Sequence, residues 1–296
     1  INMDPAWSRY LISFYNREIA SIPYVDGVFF DMVSHNISWL NNGDIDLDVD
    51  GRRDSASQAD ALWLNRTTYL LEYAKNNINA EYIVINGSSH AHFQSHINGR
   101  MFETFPTPWE ENGSWEANMN NAVLNKKKNQ QKQITIFNTN TDNTGQKTNY
   151  KKMRYGFTSA LLEGAYSSFD YGDTDHAQLW WYDEYNANLG TPLTKSTSKN
   201  NHTKYQPDVW QRQFENGMAV VNSKNTRELV ELGGEYESLR GSQDPTVNDG
   251  SIISELFLDQ FDGRILLKTF SPLKNTLFTN GAFARFFRPD GERVRN

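Results

Sequence analysis

The sequence contains no cysteine, which excludes disulfide bonds, thiol nucleophiles and thiolate zinc sites. It also lacks any run near the roughly 18 apolar residues that a membrane-spanning helix needs. Basic residues are in deficit, because 29 Lys and Arg stand against 36 Asp and Glu, for a net charge of −7. Nucleic-acid binding normally requires a basic face. We therefore expect a globular protein with no membrane span and no nucleic-acid partner.

Aromatic side chains, by contrast, are abundant. They make up 13% of the 296 residues, with eight Trp and fourteen Tyr, and many lie in polar stretches such as residues 109–115 and 179–185. Flat rings beside carboxylates suit the faces of sugars, although about half of such residues belong to the core of any protein of this size. The composition therefore indicates a carbohydrate partner without proving one.

The first two thirds of the chain alternate between two hydrophobic patterns. Short apolar runs that end in a polar residue are typical of buried parallel strands, and segments with apolar residues at helical spacing separate them. The predicted strands are residues 25–31, 82–86, 100–103, 134–138 and 166–170. The first predicted helix lies in residues 4–15, with Asp4 as its N-cap. The other predicted helices cover residues 59–74, 115–132, 150–162 and 177–189. This alternation predicts a parallel sheet covered by helices.

The predicted strands end in side chains that can act on a ligand. Since the carboxyl ends of parallel strands gather at one end of a barrel, we expect a polar site there. These strand-end residues are Asp31, Asn86, Glu103, Asn138 and Asp170. A closed barrel of this kind has eight strands, and the pattern yields only five.

The pattern changes after residue 193. Residues 194–204 are rich in Lys, Ser, Thr and Asn and are predicted to form a linker or loop. Residues 205–270 contain short strand-like runs separated by Gly-Gly and Asp-Gly turns, which predicts an antiparallel β-domain. Residues 271–296 are expected to form a further strand pair or to begin another module. The sequence thus predicts an α/β fold over residues 1–193 and a β-domain after it.

Several motifs occur in an order that resembles a known family. They are Val25-Asp-Gly-Val-Phe-Phe-Asp31, Tyr82-Ile-Val-Ile-Asn-Gly87, Leu161-Leu-Glu-Gly-Ala-Tyr-Ser-Ser-Phe-Asp170, Trp181-Tyr-Asp-Glu-Tyr185 with Leu189-Gly190, and Trp210-Gln-Arg-Gln-Phe-Glu-Asn-Gly217 with Val221-Asn222. In order and spacing they resemble the glycoside-hydrolase-like family fifteen, whose activity is assigned mainly from sequence. The resemblance covers residues from about 1 to 270.

The family resemblance implies a (β/α)8 barrel of the TIM type with a C-terminal β-sandwich. It also implies that Ile1 lies near the end of the third barrel strand. We therefore expect this sequence to be a fragment that lacks the N-terminal strands, or a chain whose barrel is completed by an upstream segment or another subunit. Alone, five strands would expose a parallel-sheet edge and an apolar lumen.

Two acids are the candidate catalytic residues. Glycoside hydrolysis needs one carboxyl group that donates a proton and a second that acts as nucleophile or as a base on water. The resemblance implies a nucleophile on the fourth strand and an acid/base residue on the sixth, which are the positions of Asp31 and Glu103, and a retaining mechanism is favoured. The alternative is that these strand-end acids cap neighbouring helices or bind a cation.

Other residues are candidates for contacts with the sugar. Asn86, Asn138 and Asp170 could hydrogen-bond hydroxyl groups from their strand ends. Trp109, Trp180 and Trp181 could stack on sugar rings. Asp183 and Glu184 are reserve acids, although a structural ion pair is favoured for Glu184.

One loop resembles the start of a calcium site. Asp46, Asp48 and Asp50 offer oxygen ligands at alternate positions, Gly51 follows for the tight turn, and Asp54 is close by. The closing bidentate acid is missing, because Ser57 occupies the twelfth position, so a solvated acidic loop is the alternative. Ca²⁺ is the one cofactor considered, and none is required. The spacing of His90, His92 and His96 could hold zinc, but an ordinary polar loop is favoured.

Two functions remain open from the sequence. The first is an enzyme that cleaves a glycosidic bond in a polysaccharide. The second is a non-catalytic carbohydrate-binding or structural protein of a surface layer, filament or virion that keeps the barrel as a scaffold. Both place the protein outside the cell, on its surface or on a virion.

Overall fold

The computed structural model describes residues 3–130 and 132–269. Its helices are α1 (Pro5–Glu18), α2 (Ala56–Asn77), α3 (Ala91–Gln94), α4 (Trp115–Lys126) and α5 (Tyr150–Glu163). Its strands are β1 (Gly27–Val33), β2 (Tyr82–Gly87), β3 (Gly99–Phe102), β4 (Ile136–Asn140), β5 (Tyr166–Gly172), β6 (Asp175–Leu179), β7 (Thr197–Ser198), β8 (Val209–Gln213), β9 (Gly217–Asn222), β10 (Glu228–Ser238), β11 (Ile252–Leu258) and β12 (Asp262–Lys268). None of the helices in the described part of the chain is long and apolar enough to cross a membrane.

The chain divides into two compact units. Unit 1 comprises the described residues of Ile1–Glu103 and Asn120–Ile136, and unit 2 comprises those of Thr104–Met119 and Phe137–Asn296. Unit 1 contains β1, β2 and β3, and unit 2 contains nearly all of β4 and every later strand.

The two long helices of unit 1 begin with the residues that favour helix initiation. Asp4 accepts a hydrogen bond from the backbone N–H of Trp7 at 2.8 Å, and a proline occupies the first turn of α1. Ser55 and Gln58 form a reciprocal capping box at the start of α2. The helix predicted to open the chain is therefore confirmed.

The sheet of unit 1 is parallel. β1 pairs with β2, and β2 pairs with β3, in the orientation that the alternating pattern predicted. Apolar side chains from α1, α2 and the strands form its core, which explains why the apolar runs are continuous on the buried strands. The buried members of this core are Ile12, Val33, Leu70, Leu71, Ala74, Ile83, Ile85, Phe93 and Ile97.

Unit 2 contains a second βα arrangement and an antiparallel sheet. β4, β5 and β6 are hydrogen-bonded neighbours in that order, and the antiparallel strands lie in the order β11-β10-β12-β9-β8-β7. Helix α5 is capped at its C-terminus by Gly164, whose φ of 64° suits a residue without a side chain. Phe157 and Leu161 of α5 pack on the cluster that contains Ala219 and Ile265 of the antiparallel sheet.

The predicted helix over residues 177–189 is wrong. β6 (Asp175–Leu179) instead returns antiparallel to β5, and a short 3₁₀ turn covers Asp183–Asn186. Two features override the helical spacing of the aromatic residues. The connection after Gly172 is too short for anything but a hairpin, and Tyr182 and Trp180 pack around Phe169 in an aromatic cluster. Helix α4 also ends at Lys126, six residues before the predicted end.

The fold class is confirmed as mixed α/β with a parallel and an antiparallel sheet. The five strands predicted by the alternating pattern are all present, with β1 and β4 each displaced by two residues toward the C-terminus. Within residues 3–130 and 132–269 the strands β7 to β12 form one six-stranded sheet, where the family resemblance implied the two sheets of a sandwich. The strand pair or module expected in residues 271–296 lies outside the described residues.

Candidate active site

A single amide joins the two candidate catalytic carboxylates in unit 1. Nδ2 of Asn86 donates to Oδ1 of Asp31 at 2.9 Å and to Oε2 of Glu103 at 2.8 Å. Because one nitrogen contacts both oxygens, these oxygens lie no farther apart than about 5.7 Å, the sum of the two distances. The structure thus brings together three of the strand-end residues singled out in the sequence.

A bulge in β1 places Asp31 at this position. The parallel register with β2 holds from Gly27 to Phe30 and then shifts before Val33. Met32, inside the bulge, has a φ of 55°, and its backbone N–H donates to Oδ1 of Asp31 at 2.8 Å. This oxygen therefore accepts two hydrogen bonds, while no described residue donates to Oδ2. One oxygen of this exposed carboxylate is therefore fixed by two hydrogen bonds, and the other accepts none from the described residues.

The close approach of β1 and β2 brings Asn86 to the carboxylates. A Cβ atom at Gly87 would lie 2.1 Å from the carbonyl oxygen of Val33, so only glycine fits there. Asn86 itself is 5% exposed, and its Oδ1 has no hydrogen-bond partner among the described residues. A buried amide oxygen without a partner is a site at which a ligand hydroxyl group can donate.

Glu103 follows β3 directly and is half-buried, whereas Asp31 is exposed. The residue before it, Phe102, is fully buried, and the guanidinium carbon of Arg100 lies 4.0 Å from the centre of its ring. The buried end of β3 therefore gives the Glu103 backbone a rigid base. The two acids thus stand in different surroundings, as two carboxyl groups with different tasks require.

Unit 2 contains its own cluster of strand-end residues. Nδ2 of Asn138 donates to Oδ2 of Asp170 at 2.8 Å and to Oγ of Ser168 at 2.9 Å. Oδ2 of Asp170 also lies 2.9 Å from Nδ1 of His176, and its Oδ1 is buried without a partner among the described residues. Asn138 and Asp170, both proposed from the sequence to bind sugar, are therefore in contact with each other.

His176 was missed by sequence reasoning. It lies on β6, whose last three residues the sequence placed in a helix, so the return of this strand beside Asp170 was hidden. The available signal was the run from Gly172 to Asp175, which turns tightly enough to return a strand alongside β5.

The three candidate tryptophans lie in different surroundings in unit 2. Trp109 and Trp181 are 57% and 67% exposed, and the Trp181 ring also contacts Tyr185 in an edge arrangement. Trp180 is half-buried, and its ring centre lies 6.2 Å from that of Phe169 in the aromatic cluster. The reserve acid Glu184 is buried, with its Oε1 3.8 Å from Nη1 of Arg154, as in a structural ion pair.

The acidic loop of unit 1 has the donors of a calcium site. Carboxylate oxygens of Asp46, Asp48 and Asp50 lie within 4.8 Å of one another on exposed side chains. Oδ2 of Asp54 accepts from the backbone N–H of Leu47 at 2.7 Å and so closes the loop. Hard oxygen donors of this kind fit Ca²⁺. This is the only such group of three or more acidic, His or Cys side chains found in residues 3–130 and 132–269. Ligand atoms of His90, His92 and His96 do not all lie within 4.8 Å of one another.

The fold and this geometry define a class: an α/β protein with two carboxylates and an amide at the ends of neighbouring parallel strands. The sequence profile of hypothetical glycosyl hydrolase family 15 matches residues 1–218. The chain therefore belongs to this family, which confirms the resemblance carried by its ordered motifs.

Other comparisons are more distant. The search of curated proteins finds no match to this chain. Among solved structures, the chain is similar to Eubacterium rectale Amy13B, with 12% sequence identity and a TM-score of 0.43 over 91% of this chain. The chain spans 65% of the length of that structure.

Proposed function

We propose that this protein hydrolyses a glycosidic bond in a polysaccharide, with Asp31 as the nucleophile and Glu103 as the general acid and base. The observation that carries the proposal is the Asn86 amide, which donates to both carboxylates at once. Membership of a glycosyl hydrolase family supports this chemistry over the other reactions that a carboxylate pair can perform.

The distance between the carboxylates supports a retaining mechanism. Retaining enzymes hold their carboxyl groups about 5 to 5.5 Å apart, whereas inverting enzymes need about 6.5 to 9.5 Å to admit a water molecule. The upper limit of about 5.7 Å between Oδ1 of Asp31 and Oε2 of Glu103 is consistent with the shorter class.

In this mechanism Glu103 first gives its proton to the glycosidic oxygen, and the bond from that oxygen to the anomeric carbon breaks. Oδ2 of Asp31 attacks the anomeric carbon and forms a covalent glycosyl-enzyme. Glu103, now ionised, then removes a proton from water, which attacks the same carbon and releases Asp31. Asn86 keeps the spacing of the two acids through both steps.

The test begins with a panel of glycans assayed for the release of reducing ends. Asp31→Asn and Glu103→Gln should each abolish turnover and leave sugar binding largely intact. Asp26→Asn is the matched control, because Asp26 is an exposed acid immediately before the first residue of β1, at the end of the strand opposite to Asp31. Wild-type activity in either catalytic variant would overturn the assignment.

Azide distinguishes the two roles. In Asp31→Ala, azide can occupy the space of the missing carboxylate and attack an activated aryl glycoside, giving a glycosyl azide of inverted configuration. In Glu103→Ala, azide instead attacks the glycosyl-enzyme and gives the retained configuration. The reverse pattern would exchange the two roles.

The same panel separates this proposal from its competitor. A carbohydrate-binding or structural protein would bind a glycan of the panel, but the wild type would release no reducing ends from it.

A further inference from the structure

Three imidazole rings form a cluster in unit 1 that the proposed reaction does not use. The ring centres of His35 and His90 lie 5.3 Å apart with nearly parallel planes, and those of His90 and His92 lie 4.9 Å apart at 89°. His35 and His92 are exposed, and His90 is half-buried. We call these three residues the imidazole cluster.

Ser88 ties the cluster together. Its Oγ lies 2.8 Å from Nδ1 of His35 and accepts from the backbone N–H of His90 at 3.1 Å. Its own backbone N–H donates to the carbonyl oxygen of Val33 at 2.9 Å. The loops after β1 and β2 are therefore fastened to each other, and the rings are held by contacts that precede any ligand.

The cluster lies close to the carboxylate pair along both strands. His35 is four residues beyond Asp31, and His90 is four residues beyond Asn86. Four extended residues span at most about 14 Å, and the β1 bulge shortens the first of these paths. A polysaccharide bound at the carboxylates has sugar residues within this distance.

The cluster presents hydrogen-bond donors to a ligand. Nδ1 of His90 accepts from the backbone N–H of His92 at 3.4 Å, so its neutral ring carries the proton on Nε2. Burial lowers the pKa of His90, and nearby His35 and His92 lower it further, which favours this neutral form. Among the described residues, none bonds to Nε2 of His90 or Nε2 of His35.

We propose that His35, His90 and His92 form a sugar-binding subsite beside the carboxylate pair, where their ring nitrogens hydrogen-bond hydroxyl groups of a neighbouring sugar residue of the same polysaccharide. The proposal rests on the proposed function for the position of the cleaved bond. It extends that function because a subsite for a further sugar residue would make the protein prefer longer substrates. Imidazole rings suit this task because each offers both a flat face and a polar edge.

The test compares substrates of two lengths. One is an aryl glycoside of the sugar identified by the panel, which reaches only the carboxylates, and the other is a series of longer oligosaccharides of that sugar. His90→Ala and His35→Ala should lower kcat/KM for the longer oligosaccharides about fivefold to tenfold, the loss of a single hydrogen bond, and leave the aryl glycoside unchanged. His92→Ala, at an exposed position, provides a variant with little risk to folding.

His96→Gln is the matched control, because His96 lies on the same segment and does not contact the three rings. Equal losses on both substrates, or no loss on either, would overturn the subsite. If the wild type cleaves no glycan, the proposed function fails, and calorimetry on oligosaccharides of a panel glycan that the protein binds then tests the subsite alone. Failure to bind any glycan of the panel would overturn the subsite as well. In that case weaker binding by His90→Ala than by His96→Gln supports it, and equal binding overturns it.

Discussion

Arg154 contacts Asp262 through two buried hydrogen bonds. Nε of Arg154 lies 3.0 Å from Oδ1, and Nη2 lies 3.3 Å from Oδ2. Nη1 also donates to Asp244 at 2.6 Å and lies 3.8 Å from Glu184. Three acids of unit 2, Asp262, Asp244 and Glu184, thus share the one cation of Arg154. The energetic role of such a site follows from its burial, because an unpaired charge has no access to water there.

Arg154→Met should therefore strongly destabilise the protein. Loss of one partner from a buried ion pair lowers the free energy of unfolding by about 3 to 5 kcal/mol. Arg264 still contacts Asp262 at 2.6 Å, so we expect a value near the lower limit. Urea denaturation measures the change. Arg227→Met is the control, since its exposed pair with Asp259 should contribute less than about 1 kcal/mol. Equal effects of the two variants would contradict the prediction.

The same site predicts how stability depends on pH. Burial raises the pKa of Asp244, but hydrogen bonds from Arg154 and Thr246 outweigh burial, so the pKa in the folded state is lowered. Its stabilising contribution is complete above the unfolded pKa of about 3.9 and is lost as the pH falls through the folded pKa. Below about pH 4, the free energy of unfolding should therefore fall more steeply for the wild type than for Asp244→Asn. Parallel curves from urea denaturation would refute this.

Much of the fold was predictable because local and tertiary signals agree. The cap at Asp4 and the apolar run of β2 specify the same elements in isolation and in the folded chain. In the aromatic stretch around Tyr182, the local pattern and the tertiary structure disagree. Its helical spacing reflects packing around Phe169, and a single sequence does not reveal which aromatic residues meet across a hairpin.

For the candidate site, the sequence indicated residues but not their contacts. Strand ends identified Asp31, Asn86 and Glu103, yet nothing in the sequence shows that one amide bridges two carboxylates. That geometry depends on the β1 bulge, where Met32 takes a positive φ that a Met residue rarely adopts. The contact of His35 with Ser88 was hidden for the same reason, since it joins loops 53 residues apart.

Gly87→Ala should disturb both stability and the site. The added Cβ would lie 2.1 Å from the Val33 carbonyl oxygen, so β1 and β2 would have to separate. Overpacking of this kind costs about 1 to 3 kcal/mol. We also expect turnover to fall, because the distance between Asn86 and Asp31 depends on this approach. Gly234→Ala, where nothing lies within 4 Å of the added atom, is the control for urea denaturation and activity. If Gly87→Ala kept the stability and the turnover of the wild type, β1 and β2 would be able to accommodate the added Cβ atom, and the prediction would be wrong.

The acidic loop predicts weak calcium binding. Asp46, Asp48 and Asp50 supply three oxygen donors, but Ser57 stands where a bidentate acid would complete the site, so a Kd of about 10⁻⁴ to 10⁻³ M is expected. Calcium at about 100 times its Kd should stabilise the protein by about 2.7 kcal/mol. Calorimetry and thermal unfolding measure both effects. Asp48→Asn should weaken them, and Asp26→Asn should not. Equal melting temperatures with and without calcium would contradict calcium binding and favour the alternative of a solvated acidic loop.

Asn86 provides the sharpest test of the proposed site. Its Nδ2 holds one oxygen of each carboxylate, and its Oδ1 is buried without a partner among the described residues. In Asn86→Ala both contacts disappear, so the acids lose their common donor and their fixed spacing. Loss of a positioned donor from an active site lowers kcat by about 10² to 10³, and we expect this size of effect with little change in KM.

Two further variants are needed to interpret the Asn86→Ala result, one at the same position and one as a control. Asn86→Asp keeps the shape of the side chain but replaces the donor by a third carboxylate, so its kcat should fall at least as far. Asn76→Ala removes an exposed amide from α2 that bonds only to the carbonyl oxygen of Glu72, and it should behave as the wild type. Steady-state kinetics on the confirmed substrate give kcat and KM for each variant. If Asn86→Ala kept the wild-type kcat, the amide would merely fill space between Asp31 and Glu103, and the spacing of the two acids would have to be maintained by their own strands.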